Sequence, residues 1–485
     1  MSVIRIARNA LRLCVAMFSL TAHAQVGTQH LQLPSLGDTS AGLISTTDEY
    51  DFGRKLIRKF RAGLPESSDP FIEAYLTELL GKLSQHSELT NPKLDLLVIQ
   101  DSSLNAFAAP GGIVGVNIGT FAVAQNEQQL ASILAHELAH LSQRHYARQV
   151  NEASKNNFIT MAAMLAGIIA IASSGSDNAI AALPAAQAAA IQAQLKFSRE
   201  MEQEADRVGM QTLINAGFDP YGMPEMFDVM LRNTRYRTKV PEFLLSHPVT
   251  ESRVADSLSR ASRYPRRHYP LDTDFQIVKA RVLVELERNA HVAVKRFKDE
   301  VQGTTMPPLT ARYGLVRALT RAGETKAARQ EFETLKDLLP DGVVLAVAMA
   351  DIQTAEGDHE GAIETLSAQL NRHPNSHPLN VHLAEVLMKA GQYARCEALL
   401  AEHVKRQPHN SYVWYLLAEA HGLAGHILDV HKARAEYFIL LGIFNKAEIQ
   451  LRNALRLTED KDFQARARLE QRLIEVRKMK EEDLS

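Results

Sequence analysis

The chain has 485 residues, of which 46% are hydrophobic and 23% are charged, so it is long enough for more than one domain. Its formal net charge of −2 gives no support for nucleic-acid binding, which strongly basic surfaces favour. It contains two cysteines, one of them within the first 24 residues, so a disulfide scaffold is excluded.

The first 24 residues have the pattern of a secretory signal peptide. The basic start is formed by Arg5, Arg8 and Arg12. An apolar run over residues 13–20 follows, and residues 22–24 (AHA) match an A-x-A cleavage site. We therefore expect an exported protein whose mature chain begins at Gln25 and, without the three arginines, carries a net charge of −5.

Two β-strands are predicted at residues 93–100 and 113–118, with a proline-glycine turn before the second. A strand at the edge of a sheet can pair with an extended substrate through main-chain hydrogen bonds. The residues expected to form such a substrate-binding strand are Asn105, Ala106, Phe107, Gly111 and Gly112. The alternative is a hairpin with a purely structural role.

Residues 136–140 read HELAH, which is the HExxH pattern of zinc hydrolases. Asn126 as a cap, Gln129 three residues later and an apolar stripe predict a helix through this motif. Residues four apart share one helix face, so His136 and His140 can reach one ion. We expect both to bind zinc and Glu137 to move protons; an incidental pair of helical histidines is the alternative.

A zinc site with two histidines needs a further protein ligand, and the next acidic helix offers one. Glu202 and Asp206 are four residues apart and therefore share a helix face. We expect Glu202 to bind the metal and Asp206 to accept a hydrogen bond from the second ring nitrogen of His136. Glu200 and Glu204 remain alternative ligands, and a solvated acidic face is the structural alternative.

An uncharged segment lies between the two metal motifs. Residues 158–172 are apolar but fall short of the roughly 20 needed to span a bilayer, so no transmembrane helix is predicted. An alanine-rich run extends the segment to residue 193. We expect the helices at residues 158–193 to form a lid over the cleft or to make a peripheral contact with a membrane; a buried core helix is the alternative.

The C-terminal part of the chain repeats with a period of 34 residues. The period is marked by Gly323, Gly357, Gly391 and Gly425 and by Pro340, Pro374 and Pro408. This period is typical of tetratricopeptide repeats, which stack helix pairs and expose a concave surface for partners. Bracing of the catalytic domain is the alternative role. We divide the chain into a signal peptide (1–24), a metallopeptidase domain (25–264) and a repeat domain (265–485).

The HExxH and ExxxD motifs, preceded by NAFAAPGG at residues 105–112, resemble the gluzincin metallopeptidases that include HtpX-like and CAAX-processing proteases. The resemblance implies an α+β zincin-like domain, mostly helical with a small sheet, followed by an all-α solenoid of repeats. It also implies one Zn²⁺ held by His136, His140 and Glu202, with Glu137 as the general base.

Two residues further along are candidates for the same site. The resemblance implies that His247 can bind the zinc as a fourth ligand in place of water, which silences the protease until its loop moves. A structural histidine near the cleft is the alternative. Arg253 is expected either to position the substrate carbonyl or oxyanion, or to pair with an acid such as Glu251.

The order of signal peptide, peptidase and repeats resembles a periplasmic branch of this family that supports the assembly of outer-membrane β-barrel proteins. It implies a zinc metalloendopeptidase with chaperone-like activity that degrades unfolded or misassembled outer-membrane proteins. Its repeats would bind the β-barrel assembly machinery or the client. The alternatives are a chaperone or adaptor with a latent or structural metal site, and a processing peptidase with one defined substrate.

Overall fold

The computed structural model describes residues 45–152, 198–236 and 241–484. The predicted signal peptide (1–24) and apolar segment (158–193) lie outside the described residues. The first elements are α1 (Thr46–Gly63), α2 (Pro70–Gln85), β1 (Asp95–Ile99), β2 (Ala106–Ala109), β3 (Ile113–Asn117), α3 (Gly119–Val123), α4 (Glu127–Ser142) and α5 (His145–Glu152). Then follow α6 (Arg199–Asn215), α7 (Gly222–Tyr236), α8 (Glu242–Ser246) and α9 (Glu251–Ala261).

The three strands form one small sheet in the order β1-β3-β2, with β1 parallel and β2 antiparallel to β3. β3 is buried along its whole length because both its neighbours and the surrounding helices cover it. Of the residues predicted for the substrate strand, Gly111 and Gly112 lie in the turn that follows β2, which ends at Ala109. Their φ angles of 81° and 80° are in the left-handed region, which favours glycine.

Helix α4 forms where the sequence predicted it. The Asn126 side chain accepts a hydrogen bond from the Gln129 N–H, which satisfies one of the unpaired donors at the helix start. The apolar side chains of α4 pack against the sheet, α2, α6 and α7, so both metal-motif histidines are carried on a buried helix.

Helix α6 crosses α4 at close range because Gly209 lies at the contact. A Cβ atom on Gly209 would lie 3.0 Å from the Ala135 carbonyl oxygen and 3.1 Å from the His136 Cα. The absence of a side chain there lets the two backbones approach. Glu202 and Asp206 precede Gly209 by seven and three residues, so they lie on the face of α6 that meets α4.

The rest of the described chain is a series of antiparallel helices. They are α10 (Thr273–Leu286), α11 (Ala290–Gln302), α12 (Pro308–Arg321), α13 (Thr325–Leu335), α14 (Val343–Glu356), α15 (His359–Arg372), α16 (His377–Lys389), α17 (Tyr393–Arg406), α18 (Ser411–Ala424), α19 (Ile427–Leu440), α20 (Phe444–Leu457) and α21 (Phe463–Leu484). The four glycines of the 34-residue period all adopt left-handed conformations at the turns within helix pairs. The predicted fold class, a mostly helical domain with a small sheet followed by helical repeats, is confirmed.

The helical repeats fold back onto the peptidase part through polar contacts. The Asn410 side chain donates to both carboxylate oxygens of Glu73 at 2.8 Å, and the buried pair Arg281–Asp69 joins α10 to the start of α2 at 2.7 Å. Ser411 Oγ donates to Glu66 at 2.7 Å. None of the helices in the described ranges is both long and apolar enough to cross a membrane.

Candidate metal centre

Four side chains from three separate parts of the peptidase bring their donor atoms to one point. They are His136 and His140 on α4, Glu202 on α6, and His247, which follows α8. His136 Nε2 lies 3.0 Å from His140 Nε2 and 3.3 Å from His247 Nδ1. Glu202 Oε1 lies 2.9 Å from His247 Nδ1 and 3.5 Å from His140 Nε2. All four residues are buried.

This donor set fits a zinc ion. Four N or O ligands at about 2.0–2.2 Å from a tetrahedral zinc lie about 3.3–3.6 Å from one another. The observed separations of 2.9–3.5 Å reach that range, with the two shortest just below it. Three imidazoles and a carboxylate are also ligands that zinc prefers.

His136 is oriented by an acid on its far side. Its Nδ1 atom lies 3.1 Å from Asp206 Oδ1, so the ring presents Nε2 to the other donors. Burial alone would lower the pKa of His136, but hydrogen bonds to Asp206 and Glu202 outweigh it and raise that pKa to about 9. Burial alone would raise the pKa of Asp206, but its hydrogen bonds with Arg253 and His136 keep that pKa below its usual value. Sequence reasoning had placed Asp206 in this position.

Glu137 faces the donor cluster without belonging to it. Burial raises the pKa of its carboxyl above the usual value. Its Oε1 atom lies 3.6 Å from His247 Nε2 and has no hydrogen-bond partner among the described residues. A buried carboxylate with an available oxygen next to a metal site is suited to take a proton from an attacking water.

The outer edge of β2 faces the same site. The Asn117 N–H donates to the Asn105 carbonyl, and this pairing turns the main chain of Asn105 and Phe107 towards β3. The main-chain groups that point outward are therefore those of Ala106 and Ala108, and the Ala108 N–H approaches the Glu137 carboxylate. Among the residues predicted for the substrate strand, Ala106 therefore has outward main-chain groups, whereas the main-chain groups of Asn105 and Phe107 face β3.

Helix α8 lies across the beginning of that edge. The Phe243 N–H approaches the outward carbonyl of Leu104 at 3.4 Å, and the ring of Phe243 stacks on His247 with centroids 4.9 Å apart. The segment that carries His247 thus occupies part of the space along β2 in which an extended peptide would pair.

Arg253 is buried among the acids of the site and does not pair with Glu251. Its guanidinium makes two hydrogen bonds of 2.7 Å to Asp206 and contacts Glu202 Oε2 at 2.7 Å. Its Nη1 donates to the Pro248 carbonyl at 2.8 Å. With 3% of its surface exposed, Arg253 ties α6 to the loop after His247, and its predicted role at the substrate carbonyl or oxyanion stays a prediction.

The two alternative ligands lie away from the metal donors. Glu200 is exposed in the first turn of α6. Glu204 accepts hydrogen bonds from His145 Nε2 at 3.0 Å and from Arg148 Nη1 at 2.8 Å. The fully buried His145, whose Nδ1 lies 2.9 Å from His140 Nδ1, was not predicted. A third histidine five residues after the HExxH motif was the available signal.

Comparisons with known proteins agree with this geometry. Peptidase family M48 matches residues 70–261, and a tetratricopeptide repeat family matches residues 353–420. The chain is 31% identical to the putative beta-barrel assembly-enhancing protease of Vibrio cholerae over 99% of this chain and 98% of that protein. The chain belongs to the beta-barrel assembly-enhancing protease family.

Other relatives extend the comparison. The family member from Escherichia coli strain K12 is 29% identical over 93% of this chain and 92% of that protein. The mitochondrial metalloendopeptidase OMA1 of Schizosaccharomyces pombe is 30% identical over 37% of this chain and 50% of that protein. Family membership makes this chain a metalloendopeptidase, and the match to family M48 spans every residue of the donor cluster.

Proposed function

We propose that the chain is a periplasmic zinc endopeptidase that removes unfolded or misassembled outer-membrane β-barrel proteins during their assembly. The observation that carries the catalytic part is the buried His136/His140/Glu202 donor set beside the Glu137 carboxylate. The β-barrel part rests on the name of the relatives to which the chain aligns over nearly its whole length.

The chemistry follows from the positions of the side chains. Zinc held by His136, His140 and Glu202 would polarise the scissile carbonyl and acidify a bound water. Glu137 then takes the proton of the attacking water on its carboxylate and delivers it to the leaving amine. The outward main-chain groups of Ala106 and the outward carbonyl of Ala108 hold the substrate as an added strand, which selects extended backbone rather than a particular sequence.

We infer that the described conformation is a resting state. A zinc held by the other three residues would have His247 as a fourth protein donor, at the position that a catalytic zinc keeps open for water. Its second nitrogen lies 3.6 Å from the general base Glu137, and α8 lies over the start of β2. Activity therefore requires the His247 segment to move away, which frees both the metal position and the strand edge.

The repeats are proposed to bind the client or the β-barrel assembly machinery, within a domain division of 1–24, 25–264 and 265–485. The buried set of four protein donors also favours a second function, that of a chaperone or adaptor whose peptidase is latent. A processing peptidase has no comparable support, because a main-chain edge gives little sequence selection.

Replacement of Glu137 by Gln tests the proposal. The variant keeps the shape of the side chain and all four metal donors, so zinc content should be unchanged while cleavage of unfolded outer-membrane protein is lost. Glu200→Gln, an exposed change on α6, is the matched control and should cleave normally. Cleavage by Glu137→Gln at the wild-type rate would reject the mechanism. Normal β-barrel assembly in cells that carry only this variant would favour the adaptor function.

A further inference from the structure

His145 sits behind the metal centre and contacts one of its ligands from the side opposite the metal. It is completely buried, and its Nδ1 lies 2.9 Å from the Nδ1 of His140. Its Nε2 lies 3.0 Å from Glu204 Oε2, to which Arg148 Nη1 also donates at 2.8 Å. These contacts connect His140 through one imidazole to a carboxylate at the protein surface.

Only one arrangement of protons satisfies these contacts in a metal-bearing site. His140 Nε2 faces the other donors and must carry a lone pair to bind the metal, so the proton of the ring is on Nδ1. That N–H donates to His145 Nδ1, which places the proton of His145 on Nε2. This second N–H then donates to the Glu204 carboxylate.

The backbone adopts an uncommon conformation to bring His145 to this place. Arg144, between α4 and α5, has a φ of 50°, in the left-handed region that a residue with a side chain enters at a cost of about 1 kcal/mol. This turn directly follows α4, and the first residue of α5, His145, contacts His140 in the last turn of α4. Arg144 itself pairs with Glu49 on α1 at 3.2 Å.

We propose that His145 is a positioning residue for the metal centre, with Glu204 and Arg148 holding its tautomer. Asp206 orients His136 directly, whereas His140 is oriented through an imidazole that leads to a carboxylate. Groups that hold a ligating histidine in this way set its ring orientation and basicity, and their loss typically weakens metal binding by about 10- to 100-fold. This inference rests on the proposed zinc site.

Zinc affinity of the full mature chain, measured by competition with a chromogenic chelator at fixed pH, tests the proposal. His145→Ala should bind zinc about 10- to 100-fold more weakly than wild type. His145→Gln should recover most of the affinity, because its amide can accept from His140 and donate to Glu204. His403→Ala is the matched control: it removes an equally buried imidazole of the repeats, which bonds to His377 at 2.8 Å, and should leave zinc affinity unchanged.

Glu204→Gln provides a second test that does not disturb the core, because 37% of that side chain is exposed. Glu204→Gln should also weaken zinc binding, but by less than His145→Ala. If His145→Ala does not fold, the zinc affinity of Glu204→Gln alone tests the proposed role of His145. Wild-type affinity in both variants, or equal losses in His145→Ala and His403→Ala, would overturn the proposal. If the wild-type chain binds zinc and cleaves substrate and the variants bind zinc equally well, only the role of His145 is rejected. If the wild-type chain does not bind zinc, the proposed function is rejected.

Discussion

Removal of the Arg253 guanidinium should strongly destabilise the zinc-free protein. Arg253 is 3% exposed and makes two 2.7 Å hydrogen bonds to Asp206 and one 2.7 Å ion pair to Glu202. Arg253→Met keeps much of the apolar volume but leaves two buried carboxylates without their cation. Loss of one partner from a buried ion pair costs about 3–5 kcal/mol.

A control on the same helix sets the scale of this effect. Arg260 pairs with Asp256 one turn apart at 2.9 Å, and both side chains are about one third exposed, so Arg260→Met should cost only about 0.5 kcal/mol. For a unit of about 200 residues, 1 kcal/mol corresponds to roughly 2–4 °C in Tm. We therefore expect Arg253→Met to lower Tm by on the order of 10 °C and Arg260→Met by about 1–2 °C.

Thermal unfolding followed by circular dichroism, with a chelator present, measures both shifts. Added zinc should reduce the loss in Arg253→Met, because the metal then neutralises Glu202 in place of the guanidinium. Equal Tm values for the Arg253→Met and Arg260→Met proteins would refute the idea that the guanidinium holds the acids of the site together.

Three further substitutions test separate parts of the site. His247→Ala should raise cleavage of an unfolded protein while lowering zinc affinity, and an unchanged cleavage rate would reject the proposed resting state. Gly209→Ala should push α6 away from α4 and weaken zinc binding, measured by chelator competition. Gly81→Ala is the control, because no atom lies within 4 Å of the added Cβ; it should bind zinc normally and gain about 0.5–1 kcal/mol of stability. Ala108→Pro removes the N–H of β2 that approaches the Glu137 carboxylate, so kcat/KM should fall at unchanged zinc content; an unchanged kcat/KM would show that catalysis does not need this N–H.

Sequence reasoning could predict the parts of the site that have helical spacing. His136 and His140, and likewise Glu202 and Asp206, are pairs four residues apart, and a helix places such pairs on one face whatever the rest of the fold. The repeat helices were predictable for a related reason, since each glycine of the period adopts a left-handed turn between two helices.

Features that depend on tertiary packing could not be predicted from the spacing of residues in the sequence. Nothing local in the sequence indicates that Arg253 reaches Asp206 across 47 positions rather than the nearby Glu251. The register of β2 with β3 decides which main-chain groups of β2 point outward. The sequence does not give this register, so it could not show that Ala106 and Ala108 point outward while Asn105 and Phe107 face β3.

We propose that one zinc binds to the donor set of His136, His140 and Glu202, with His247 as the fourth ligand at rest. Anomalous diffraction of crystals of the purified full chain, measured on both sides of the zinc absorption edge, locates the bound metal. One anomalous peak per chain is expected, about 2.0–2.2 Å from each of the four donor atoms. Zinc bound elsewhere, with these four side chains in contact only with one another, would contradict it.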